Sequence, residues 1–397
     1  MIKLVLLELA KEKLSFNMDN KFIPVCEPLL SGNEIKYINE AISTGWISSS
    51  GPYIQKFEDS FAKYCGVKYG VAVCNGTLAL HLALLSLGIK NGDEVIIPDF
   101  TMIASAFAVC YTGAKPIFID ADKETWNIDI NKIEQKITSK TKAIMPVHIF
   151  GNMCDMFNIK SIAKKYNLYI AEDAAESHGS EYNGKKSGSF SDISAFSFFA
   201  NKIITTGEGG MVITNNEDLY KKAKYYKNLC FSLEGPRNYL HEDIGFNYRM
   251  SNLHAAIGLA QTEKSDYYRN LRIKNNSLYK KYLSTCEGII FQKDEGNSLN
   301  CHWMNAILID SKKYGKTRNE LIEYLKINNI ETRLVFNGMH KQKSLIKYGC
   351  ANNDKYPVTE WLSDNCFYLP SGSGLTESDI IRICDLIISF KKDKHFN

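Results

Sequence analysis

The chain of 397 residues is 45% hydrophobic and 23% charged. That composition suits a globular protein with material for one large core and a smaller second one, and it excludes disorder and collagen-like repeats. Its 48 basic and 44 acidic side chains leave a formal charge of +4 with no long like-charge run, so no basic stripe for nucleic acid is expected. The eleven cysteines include no C-x-x-C pair and no His/Cys cluster at zinc spacing. They read as scattered reduced thiols of a cytoplasmic protein, without disulfides or a metal site.

The apolar stretch Leu4 to Ala10 is interrupted by Glu8, and it is too short for a membrane span or an export signal. Because Met18 just precedes the first well-patterned segment, residues 1–22 are expected to be an N-terminal extension. From Tyr69 onward, β-rich runs (Tyr69 to Cys74, Glu94 to Pro98, Pro116 to Asp120, Ala143 to Ile149, Leu168 to Asp173) alternate with helical patterns (Leu78 to Leu87, Thr101 to Tyr111, Asp155 to Tyr166). This rhythm predicts an α/β fold around a largely parallel, buried sheet. Ser191 to Phe198 and Gly209 to Thr214 are separated only by a loop, so that pair is expected to be antiparallel or at an edge. A long helical pattern then runs from Asn252 toward Cys286, followed by strand, strand, helix, strand, strand, helix. The expected division is a large domain over 23–265 and a smaller α+β domain over 266–397.

Three glycine-rich segments bear on chemistry. Gly179 to Lys186 approaches a phosphate-binding P-loop, but Lys186 stands where a magnesium-binding hydroxyl belongs, and Asn183-Gly184 is a favoured hairpin turn. Gly207-Glu208-Gly209-Gly210 resembles a dinucleotide fingerprint but leads into a strand, and Val212 replaces the third glycine. Asn75-Gly76-Thr77 instead follows a strand and opens a helix, where free N–H groups hold a phosphate or a side chain merely caps the helix.

Asp173 ends a buried parallel strand, where open α/β sheets place ligands. Lys202 follows 29 residues later in a glycine-flanked loop. Pyridoxal phosphate needs an amine for its aldehyde, a carboxylate for its ring nitrogen, donors for its phosphate and a surface to lie on. Lys202, Asp173 and the Gly76-Thr77 turn with Ser197 supply the first three in order.

From Ile23 onward the chain resembles the DegT/DnrJ/EryC1/StrS family of sugar-nucleotide aminotransferases. The resemblance is carried by Gly45-Trp-Ile-Ser-Ser49, Cys74-Asn-Gly-Thr-Leu-Ala-Leu-His-Leu82, Gly92-Asp-Glu-Val-Ile-Ile-Pro98, Glu172-Asp-Ala-Ala-Glu176, Thr205-Thr-Gly-Glu-Gly-Gly-Met211 and Phe246-Asn-Tyr-Arg-Met-Ser-Asn252. It implies the type I aspartate-aminotransferase fold, with Lys202 carrying the cofactor and Asp173 on its ring nitrogen. Glu176 would lie near the ring hydroxyl, and Gly76, Thr77 and Ser197 would hold the phosphate. Asn247 would reach the cofactor of a neighbouring subunit, implying a homodimer with shared sites. Two departures stand out: Met102 replaces the usual aromatic ring against the cofactor, and Ala200 a frequent glycine. A Met sulfur still packs on a ring.

Lys202 argues against the dehydratase branch, which carries His there. The implied reaction moves an amino group from L-glutamate to C4 of a nucleotide-linked 4-keto-6-deoxyhexose. GDP-4-keto-6-deoxymannose, giving a perosamine-type product, is the first choice of acceptor, and the UDP-4-keto-6-deoxyglucose counterpart, giving viosamine, the alternative. Ser48, Arg249, His302, Arg333 and His340 are the candidates for the sugar-nucleotide side, since Arg and His suit a diphosphate. A non-catalytic cofactor-bound sensor is the competing reading from another class, resting on Met102.

Overall fold

The computed structural model describes residues 21–235, 239–350 and 353–393; most of the expected N-terminal extension lies outside the described residues. Strands β1 (Tyr69–Val73), β2 (Glu94–Pro98), β3 (Lys115–Ile119), β4 (Thr141–Ile144) and β5 (Tyr169–Asp173) appear in the expected order. Next comes a small hairpin, β6 (Glu181–Tyr182) and β7 (Lys185–Lys186), turned by Asn183 and Gly184, both at positive φ. The near-P-loop is therefore a two-residue hairpin turn. Strands β8 (Ile193–Ser197) and β9 (Gly210–Thr214) complete a seven-stranded sheet of order β1-β9-β8-β5-β4-β2-β3.

The pairs β2/β3, β2/β4, β4/β5 and β5/β8 are parallel, while β9 runs antiparallel to both neighbours. So β9 is antiparallel as expected, but it is an interior strand. The crossovers are the helices Gly76–Ser86, Ile103–Tyr111 and Met156–Tyr166, and they bury the apolar β-branched faces of the strands. The expected strand Ala143 to Ile149 ends at Ile144. Beyond it Phe150 adopts φ 58° in a short turn, and His148 points inward to Glu172 at 2.9 Å. A continuous apolar run marks burial, and burial alone does not make a strand.

The long helical pattern divides into Asn252–Thr262 and Ser265–Leu283, interrupted at Lys264, whose φ of −116° leaves the helical region. The smaller sheet, β10 (Ile289–Phe291), β12 (Asn305–Ile309), β14 (Cys366–Leu369) and β13 (Arg333–Leu334), is antiparallel and backed by the helices Arg318–Ile327 and Glu377–Lys392. Both helices start with a capping box, Thr317/Glu320 and Thr376/Asp379. We propose the break at Lys264 as the domain joint, with one adjustment: Ile23 bridges Ile330 and packs in the smaller core. The remaining two-residue strand, β11 (Ser298–Leu299), pairs antiparallel with β6. All eleven cysteines are free. Among the described residues no helix is long and apolar enough to cross a membrane, and no His/Cys/Asp/Glu group has a metal-binding arrangement.

Candidate active site

The carboxyl ends of β5 and β8 and the turn after β1 open on one edge of the large sheet, where a cavity of about 360 Å³ is roofed by the smaller domain. That volume lies within the usual range for a small-molecule site, about 300–1,000 Å³. Asp173, Lys202, Gly76, Thr77, Met102, Glu176, Ser197 and Arg333 all line it.

At one end lies the start of the helix Gly76–Ser86. Asn75 caps it by accepting the Leu78 N–H at 2.9 Å, and the Gly76 and Thr77 amides find no acceptor among the described residues. A cap and an anion site therefore coexist at this helix end. Gly76 is required by space: a Cβ there would lie 2.5 Å from the Ser197 Cβ. The Ser197 hydroxyl thus sits against the same turn.

Asp173 is buried at the tip of β5. Its Oδ2 accepts the Ser105 hydroxyl at 2.7 Å and its Oδ1 the Ala175 N–H at 3.2 Å. Burial pushes its carboxyl up, against these two bonds and the Lys202 charge. Glu176, which accepts the Phe150 N–H at 2.8 Å, is pushed up to about 7 by burial, partly offset by Lys202. Lys202 itself is brought below the ordinary lysine range by burial, with Glu176 and Asp173 opposing. One amine and two carboxyls thus compete for protons in a low-dielectric pocket, the arrangement expected where a lysine moves protons at neutral pH.

Met102, 49% exposed, stands at the mouth, with its sulfur accepting the Ala104 N–H at 3.1 Å. Ala200 has no positive φ, so the residue that replaces glycine fits without strain. Five candidates lie elsewhere. His302 turns toward Asp294 and Lys280, its ring brought down to about 4 by burial. His340 is held by Asp99 at 2.6 Å and stacks on Tyr356. Arg249 bonds Ser49 and Asn228, Ser48 accepts the Asn252 N–H through its carbonyl, and Asn247 is exposed. The pocket also recruits residues the sequence reading missed: Ser105, Trp303, Phe336 and Tyr368. Only Trp303 had a signal, as the neighbour of His302.

Known structures share this architecture. An aminotransferase from Psychrobacter cryohalolentis superimposes with a TM-score of 0.87 at 30% identity, covering 94% of this chain and 100% of that one. The fold is therefore that of the type I aminotransferases. Residues 28–388 match the DegT/DnrJ/EryC1/StrS aminotransferase family, and the chain belongs to it. It is 47% identical over 375 residues to the GDP-perosamine synthase of Escherichia coli O157:H7, covering 94% of this chain and all of that protein. It is 44% identical over 362 residues to the GDP-perosamine synthase of Caulobacter vibrioides, covering 91% and 96%.

Proposed function

We propose that this aminotransferase uses pyridoxal phosphate to move the amino group of L-glutamate to C4 of GDP-4-keto-6-deoxymannose, yielding GDP-perosamine and 2-oxoglutarate. The observation that carries the reading is the convergence of Lys202, Asp173 and the open Gly76-Thr77 turn on one cavity. The names of the two synthases support GDP over UDP.

The donor set fits the cofactor. The amides of Gly76 and Thr77 with the Ser197 hydroxyl suit a phosphate, and the buried Asp173 carboxyl, short of a cation, suits a protonated ring nitrogen. When bound, pyridoxal phosphate supplies the aldehyde that links to an amine and the ring that takes up electrons from the donor's Cα. Lys202 Nζ would provide that amine and, once free, would carry the proton that leaves the glutamate Cα and, over the two halves, ends on the acceptor's C4. Glu176, whose carboxyl burial pushes up, faces Lys202 and tempers the charge on it during each transfer. Met102 offers its polarizable thioether at the mouth, and the Arg333 guanidinium suits the acceptor's diphosphate.

Asn247, Ser48 and Arg249 complete the reading through a second copy of the chain. The flanking segments expose Trp46, Ile47, Tyr239, Leu240 and Ile244 at 51, 52, 72, 74 and 89%, an apolar surface suited to a homodimer interface. The test offers GDP- and UDP-linked 4-keto-6-deoxyhexoses side by side with glutamate, identifies products by mass and NMR, and traps the cofactor on Lys202 with borohydride. Full turnover by Lys202→Ala would overturn the proposal, and cofactor binding without conversion of either sugar would favour the sensor reading.

A further inference from the structure

The indole of Trp303 is buried, and Lys202 Nζ stands over it, 3.5 Å from the ring centroid. Trp303 Nε1–H donates to the Asn201 carbonyl at 2.9 Å, the peptide oxygen immediately before Lys202. The Cys26 thiol donates to the same oxygen at 3.4 Å. The Trp303 backbone is held in turn: its N–H donates to Phe150 O at 2.9 Å and its carbonyl accepts from Arg272 Nη1 at 3.1 Å. Arg272 is itself buried. Its remaining donors go to Ser371 O, Ser373 Oγ and Cys26 Sγ. The smaller domain and the N-terminal segment thus join on the one peptide that carries the reactive lysine.

We infer that Trp303 is a positioning residue for Lys202, which holds the free ammonium on its ring face and ties the preceding peptide through its N–H. The inference deepens the proposed function and rests on it for its catalytic meaning. An ammonium over an indole is attracted by the ring quadrupole, more so where water is excluded, and a neutral amine is not. The ring therefore favours Lys202 after it has taken up a proton and keeps it within reach of the cavity. The titratable groups facing Lys202 are Glu176 and Asp173, with Cys301 and Cys26 beyond them and the buried His178, on which the Lys202 charge acts. The two carboxyls raise its proton affinity; among the described residues, only the Trp303 ring gives the ammonium a face to rest on.

The test uses cofactor-free protein, so it does not depend on turnover. Lysines are dimethylated with carbon-13 formaldehyde, and the Lys202 resonance is identified by its absence from Lys202→Arg. In the unaltered protein that resonance lies upfield of the exposed lysines through the indole ring current. Trp303→Phe keeps part of the displacement. Trp303→Leu abolishes it and lowers the Lys202 titration midpoint by roughly one unit, the scale of a partly desolvated cation–π contact. A Lys202 resonance at the exposed-lysine position, or one unmoved by Trp303→Leu, overturns the inference; if the leucine variant does not fold, the phenylalanine comparison decides. A protein with the upfield resonance that aminates neither keto sugar would count against the reaction alone.

Discussion

Replacing Glu172 with glutamine tests how the strand that presents Asp173 is held. Glu172 is fully buried and accepts four hydrogen bonds, from His148 Nε2 at 2.9 Å, Gly188 N at 2.5 Å, Ser191 Oγ at 3.1 Å and Ser194 Oγ at 3.2 Å. The Cys154 N–H donates to His148 Nδ1 at 3.1 Å, so Nε2 carries the proton given to Glu172. Burial pushes this carboxyl up, but His148, Gly188 and Ser191 outweigh it, and Glu172 ends below the ordinary range. With Nδ1 accepting, the His148 ring is neutral, so Glu172 is a buried carboxylate held by hydrogen bonds, each worth about 1.5–3 kcal/mol to a charged group. Glutamine keeps the shape and one acceptor, so the expected loss at pH 7 is about 2–3 kcal/mol by denaturant unfolding. Because the folded value is depressed, the stabilisation is complete above the unfolded value of about 4.3 and disappears as pH falls through the folded one. The pH profile of the variant should lack that step. A loss under about 1 kcal/mol, within the cost of a single neutral hydrogen bond, or an unchanged profile in acid, would refute the reasoning.

Gly76→Ala forces a Cβ to 2.5 Å from Ser197 Cβ; we expect a loss of about 1–3 kcal/mol from overpacking and weaker pyridoxal phosphate binding, both read by a thermal-shift titration with the cofactor. His178 is buried among Phe61, Phe196 and Phe198, and neither ring nitrogen has a hydrogen-bond partner among the described residues. His178→Phe should stabilise the fold by about 1 kcal/mol at pH 7. Burial brings His178 down to about 3, so the folded protein refuses a proton that the unfolded chain takes below about 6.5. The advantage of phenylalanine should therefore grow as pH falls from there, and unfolding curves that converge in acid would contradict it. Mixing Lys202→Ala with Asn247→Ala chains should restore about a quarter of the activity, because half the dimers then carry one intact site of two; no recovery on subunit exchange would remove Asn247 from the partner's site.

The order of the large-sheet strands along the chain, the crossover helices, the Asn183-Gly184 turn and the trio Gly76-Thr77, Asp173 and Lys202 were all legible in the residues. Each is local: a strand shows in its β-branched run, a helix start in its cap, a strand-end carboxylate in the apolar residues before it. The interior position of β9, the early end of β4 and the break at Lys264 depend on neighbours distant in sequence, and periodicity carries no such information. The substrate side shows the limit most sharply. His302 and Trp303 are adjacent, yet His302 sits at φ 49° and turns away while Trp303 lies beneath Lys202. Ser105 meets Asp173 across 68 residues, and Trp303 meets the Lys202 loop across 102. The chain alone determined which groups are proposed for the chemistry, because reactivity belongs to residue type and local turn. Which groups surround them, and how strongly burial shifts their protons, was decided only when the two domains closed over one sheet edge.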